Sequence, residues 1–275
     1  MIESVLLFRD ALYGALVIGF ACSVLGVYVV LRRIVFVGAA LAELSSAGIA
    51  LALWLGGLGW AAGVATHPLI VSLVVTLAGA AVFGLAGSSR TLVPADATIG
   101  TTYAIAAGVG VLLIAKATTG EAHDVFLHGN IIGITRRDTW VLIGITAPVL
   151  LMHLVFYKEF LFVSFDRETA RTLGYRVGFW NLLLYLTLGL VIAVAMQFAG
   201  VMLVFNYLVL PAVTGLLLSS GMRGIFTWAV TCALLATVVG FSLSIPFDLP
   251  SGPAIIAASG VITILAWIFR RARPR

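Results

Sequence analysis

The sequence predicts an all-α integral membrane protein: a polytopic bundle of eight or nine transmembrane helices forming one domain over residues 1–275. Three observations predict it. Hydrophobic residues make up 62% of the chain and charged residues only 10%, and the mean hydropathy is +1.17, far outside the range of soluble domains. Apolar runs recur from end to end, with no long polar block between them that could hold a soluble catalytic domain. The runs are continuously apolar, as a lipid-embedded helix requires, because lipid demands that each segment pair its own backbone groups.

Taken in order, runs long enough to cross a bilayer fall at about 11–31, 34–56, 66–87, 97–116, 139–157, 179–197, 200–219, 225–245 and 252–269. The first is as long as a span and is followed by no small-x-small cleavage site, so it reads as the first helix and not as a removed signal. Cys22 and Cys232 both lie inside apolar runs without CxxC spacing and read as packing residues. A net charge of +5 would suggest nucleic acid in a soluble chain. Here it reflects loop arginines facing an anionic leaflet, and no nucleic-acid partner is expected.

The basic residues orient the spans. Alternate loops gather Arg32, Arg33, Arg90, Lys158, Arg167, Arg171, Arg176, Arg223, Arg270, Arg271, Arg273 and Arg275 on one side, 12 of the 16 Lys and Arg. Arg9, Lys116, Arg136 and Arg137 fall on the other side. By the positive-inside rule the first group is cytoplasmic, the amino terminus outside and the carboxyl terminus inside. Arg136 and Arg137 run against this pattern, and a re-entrant segment near 125–138 is the arrangement that would alter it.

The longest cytoplasmic loop, "KEFLFVSFDRETARTLGYRVG" (158–178), is too polar to cross. Asp166 can cap a helix, Glu168 sits in its first turn and Gly174 can end it, so a short helix should lie along the cytoplasmic face. It is either an interfacial connector or a docking element for a soluble partner.

Glu43 stands in the first half of the second span. A carboxylate at membrane depth is costly unless paired, hydrated or liganded, so it is a functional candidate. Helical geometry puts Ala39, Glu43, Ala47 and Ala50 on one stripe with Ser46 beside it, small enough for another helix to approach. The plainer alternative is a protonated acid hydrogen-bonded to a neighbour. The outer loop 116–130 gathers Glu121, His123, Asp124 and His128, metal-capable groups without a firm zinc spacing, equally readable as a solvated loop. Gln197, Asn206 and Thr214 place polar groups in later spans. Pro211 removes a backbone hydrogen bond and could unwind its helix to expose carbonyls, or could be purely structural. Asp248 in "PFDLPSG" reads as part of a tight turn.

Five segments in order resemble one family, the membrane subunits of ABC transporters that import manganese, zinc or iron ions. "GFACSVLGVYVVLRRIVFVGAALAEL" is similar to its first two helices, with a "VLRR" junction and a "GDALSHA" type segment. "LHGN" (127–130) resembles its "LFGN" motif, "FDRETARTLGYRVG" its ATPase-docking segment, "AGVMLVFNYLVLPAVTGLLLS" (199–219) its "LPAATA" helix, and "FSLSIPFDLPSGPAII" (241–256) its "DLPSG" turn.

The resemblance implies an ABC importer permease in a prokaryotic plasma membrane, working as a homodimer or as a pseudo-dimer with a paralogue. It implies a separate cytoplasmic ABC ATPase, docked around Phe165, Asp166, Ala170, Leu173 and Gly174, and an extracytoplasmic solute-binding protein that delivers the ion. No intrinsic cofactor is implied, only a transported divalent metal ion. The family's Asp and His fall here on Ala39 and Glu43, so an acid replaces the histidine and the aspartate is lost. That change shifts the preference toward harder, oxygen-seeking cations. Neither lysine, Lys116 or Lys158, belongs to a GxxxxGK loop, so ATP hydrolysis would fall to another chain. A proton-coupled secondary transporter using Glu43 is the alternative from a different class. An enzyme would need clustered carboxylates or a metal site at the interface, and the sequence shows no such cluster.

Overall fold

The computed structural model describes residues 8–57, 67–86, 94–116 and 131–272. Among them run ten α-helices: α1 (Arg9–Leu31), α2 (Val35–Gly57), α3 (Pro68–Ala86), α4 (Ala95–Lys116), α5 (Arg136–Val155), α6 (Tyr157–Phe165), α7 (Arg167–Thr172), α8 (Val177–Leu218), α9 (Met222–Ser244) and α10 (Ser251–Ala272), with a 3₁₀ turn at Ile131–Gly133 before α5. No strand occurs among the described residues. Eight of the helices are long and apolar enough to cross a bilayer; α6 and α7 are not.

The eight helices make nine crossings, because α8 is 42 residues long and breaks at Gly200, whose φ of 74° and ψ of 166° are non-helical. The two halves run in opposite directions. Near the start of α8, the Asn181 side chain bonds the Gly84 carbonyl at the end of α3 and the Arg32 guanidinium just beyond α1. Past the break, Leu216 packs with Val30 and Leu31 at the same end of α1, and its carbonyl accepts from Arg270 Nη1 at the end of α10. Both ends of α8 therefore lie on one face of the bundle and Gly200 on the opposite face. The spans separated at 197–200 in the sequence are the two arms of this corner. Only glycine occupies that φ/ψ region without substantial strain. Of the two readings of Pro211, the purely structural one fits, since Gly200 is the residue inside α8 with non-helical angles and Pro211 lies within helix.

The α1–α2 turn is closed by a Schellman motif. Ile34 N–H donates to the Val29 carbonyl at 3.1 Å and Arg33 N–H to the Val30 carbonyl at 3.0 Å. Arg33 takes the left-handed position at φ 59°, which glycine usually fills. The core centres on α8. Leu184, Leu188, Ile192, Val204, Tyr207 and Leu208 are fully buried along it, with α1, α3, α9 and α10 around them. Cys22 and Cys232 are both free and buried, as packing residues. Polar side chains within the spans meet each other across helices: Tyr207 Oη and Thr237 Oγ1 at 2.6 Å, Asn206 Nδ2 donating to Ser259 Oγ at 3.1 Å, and Thr214 Oγ1 and Thr263 Oγ1 at 2.8 Å. In lipid such bonds hold helices together because water offers no alternative partner.

Candidate functional site

Residues 157–176 form two short helices joined at a bend, where the sequence suggested one. α6 is anchored by Phe160, which is fully buried. Its ring stacks on His153 of α5 at 4.1 Å and meets Trp180 of α8 edge-on at 5.3 Å and Tyr28 of α1 at 6.0 Å. Asp166 then caps α7: Thr169 N–H donates to Asp166 Oδ1 at 2.9 Å and the Thr169 hydroxyl to Oδ2. These bonds favour the ionised carboxyl and hold Asp166 below the usual carboxylate range. α7 closes with a second Schellman motif, in which Gly174, at φ 85°, donates to Arg171 and Tyr175 donates to Ala170. The capping and terminating roles expected of Asp166 and Gly174 are thus the roles they occupy.

Of the five docking candidates, Ala170 is buried and anchors the segment. Phe165 and Leu173 are exposed, at 57% and 65%, on the arginine-rich face of the bundle. Beside them Leu173, Tyr175, Arg176, Phe179 and Trp180 line an open cleft of about 430 Å³. Exposed apolar groups on a polar connector outside the spans are what a protein partner would cover.

Behind α6 and α7 lies a polar network that sequence reasoning missed. Arg32 Nε donates to Ser164 Oγ of α6 at 2.8 Å, and its Nη1 donates to Asn181 Oδ1 of α8 at 2.7 Å. Arg167 Nη2, from α7, reaches the same oxygen at 3.4 Å. Asn181 Nδ2 donates to the Gly84 carbonyl of α3 at 2.7 Å. The "VLRR" junction was the available signal, but its partners lie more than a hundred residues away in sequence.

Glu43 lies half-buried on α2, about two turns in from Val35. The stripe beside it is filled by the chain's own helices: Ala39, Ala47 and Ala50 are buried. A Cβ on Gly48 would meet the Ser72 backbone of α3, and one on Gly79 of α3 would meet the Leu44 side chain. The small residues therefore admit α3 and α4 of the same chain. The Ser45 and Ser46 hydroxyls next to Glu43 are buried without a hydrogen-bond partner, as is Asn206 Oδ1. Among the described residues no three His, Cys, Asp or Glu side chains gather to hold a metal ion. His123, Asp124 and His128 of the outer loop lie outside the described residues. On the face opposite the arginines, Arg9, Asp10, Tyr13, Arg136, Thr139 and Trp140 line a second cleft of about 330 Å³.

Among the described residues, a bundle of membrane-length helices with a capped connector on one face is the architecture of a polytopic membrane protein. Residues 4–270 match the ABC 3 transport family, and the chain belongs to that family. It is 30% identical over 261 residues to the manganese import system permease protein ScaB of Streptococcus gordonii, covering 94% of this chain and 90% of that one. It is 29% identical over 263 residues to the manganese transport system membrane protein MntC of Halalkalibacterium halodurans, covering 95% and 86%. Its fold is similar to PsaBC from Streptococcus pneumoniae, solved in complex with a Fab, with a TM-score of 0.81 at 27% identity over 94% of this chain and 90% of that one. The chain is thus a multi-pass permease subunit of an ABC transporter and not an enzyme.

Proposed function

We propose that this permease imports a divalent metal ion, manganese first among the candidates, with energy from a separate cytoplasmic ATPase. The carrying observation is that the relatives matched over nearly their whole length are manganese import and transport proteins. The replacement of the family's histidine position by Glu43 agrees with a hard, oxygen-preferring cation over zinc. In this reading Glu43 lines a transit pathway, in keeping with the absence of a dense ligand cluster among the described residues.

The arginine-rich face is cytoplasmic, and the ATPase docks on Phe165, Leu173 and the cleft beside them. The amino terminus is outside, where the cleft around Arg9 and Arg136 faces a solute-binding protein, and a second copy of the chain completes the pathway. The geometry favours this over proton-driven transport through Glu43, which would leave a capped, apolar-tipped connector without a role. The test is uptake into proteoliposomes by the permease purified with its ATPase. Manganese should enter only with ATP, and zinc and iron should compete less well. Uptake driven by a proton gradient without the ATPase would overturn the proposal.

A further inference from the structure

We propose that Arg32 is the positioning residue through which movement of the docking segment reaches the helix that carries Glu43, an inference that rests on the transporter reading above. Arg32 sits at the corner between α1 and α2, where the two bonds of the Schellman motif fix the backbone. A pull on its guanidinium therefore displaces the start of α2. The fork of the guanidinium makes two bonds in divergent directions, Nε to Ser164 on the docking segment and Nη1 to Asn181 at the foot of α8. Through Asn181 Nδ2 the same network holds the end of α3 at Gly84. One side chain thus joins the docking segment to three spans. A lysine would have to reach both acceptors from a single nitrogen, without the fixed fork that separates the two directions here.

The chemistry of the link suits a contact that is exchanged. Both acceptors are neutral, a hydroxyl and an amide, where a carboxylate would hold the fork by stronger charge-assisted bonds. Arg32 Nη2 is buried and has no partner, so the guanidinium is not fully committed in this arrangement. Asn181 Oδ1 serves two donors from different elements, Arg32 at 2.7 Å and Arg167 at 3.4 Å. Two like charges compete for one oxygen. A shift of α7 that brings Arg167 closer to Asn181 displaces Arg32, both by competition for the lone pairs and by repulsion. The Phe160 ring cluster lets α6 shift with α7 without unpacking, because its contacts are apolar and not directional.

The experiment places spin labels at Glu168 on the docking segment and Gly56 at the far end of α2, both exposed, in a background with Cys22 and Cys232 replaced. Distances are measured in the reconstituted permease and ATPase complex with and without ATP, alongside manganese transported per ATP hydrolysed. Ser164→Ala removes one arm at a partly exposed position and keeps the fold, and Arg32→Lys keeps the charge while losing the fork. In both variants ATP should still move the label at 168, while the label at 56 stays in place and the ion-to-ATP ratio falls severalfold. Variants that move both labels and keep the parental ratio overturn the link. A loss of transport and hydrolysis in equal proportion also overturns it, since that marks a merely structural role. A parent complex in which ATP moves neither label overturns the ATP-coupled reading itself.

Discussion

Gly26 of α1 faces the backbone carbonyl of Leu208 on α8 so closely that a Cβ at position 26 would collide with the Leu208 oxygen and carbonyl carbon. Backbone cannot rotate away as a side-chain tip can. Gly26→Ala should therefore force α1 and α8 apart and cost about 1–3 kcal/mol, read as a lower unfolding temperature in detergent. Gly108→Ala on α4, where nothing lies within 4 Å, is the control and should keep or slightly raise the stability, as alanine favours a helix over glycine.

Gly200→Ala addresses the corner of α8. A side chain at φ 74° and ψ 166° is strained by about 1–3 kcal/mol, before any clash at this buried position. Membrane yield and thermal stability should both fall. Full stability in that variant would mean that the corner relaxes to another geometry.

Glu43→Gln keeps size and hydrogen bonding but removes the charge. If Glu43 lines the ion pathway, manganese uptake should drop by an order of magnitude or more at unchanged membrane yield, and Glu43→His should shift competition toward zinc. Parental uptake of manganese, zinc and iron by the Gln variant would place the site elsewhere.

Coupling at α7 should be flat with pH across the neutral range. The Asp166 carboxyl is held below its usual value by Thr169. Its cap is therefore fully present above the unfolded carboxylate pKa of about 3.9 and is lost only as pH falls through the depressed folded value. Loss of coupling between about pH 6 and about pH 8 would assign the titration to another group. Replacing Leu173 and Gly174 with bulky charged residues should uncouple hydrolysis from transport while the spans stay folded. Transport equal to the parent would remove the docking role.

Single cysteines at Arg33 and Leu249 lie on opposite ends of the bundle and test orientation. Impermeant reagents should label residue 249 from outside intact cells and residue 33 only after the membrane is opened. The reverse pattern would invert the topology.

Much of the fold was legible because lipid reduces the problem to length and hydropathy, and the break of α8 fell at Gly200, the first residue of the second of two apolar runs. Asp166 and Gly174 were legible for a local reason: capping is settled by residues three or four positions apart. Arg32 was not, because its partners Ser164 and Asn181 are brought beside it only by tertiary packing. The same limit applies to Glu43. Its spacing showed a stripe of small residues but not what covers it, and Ala39, Ala47 and Ala50 are buried by tertiary packing within the chain.

The corner at Gly200 also bears on how the protein is made. A straight helix of 42 residues would measure about 63 Å, roughly twice the 30 Å hydrocarbon depth. No polar linker separates the arms to hold their junction in water while one arm inserts ahead of the other. Both arms must therefore leave the insertion machinery as a preformed hairpin, with Arg176 and Arg223 retained on the same side as its two ends. A chain that failed to bend during synthesis would carry every later span in inverted order, so a single glycine sets the threading of the last quarter of the molecule.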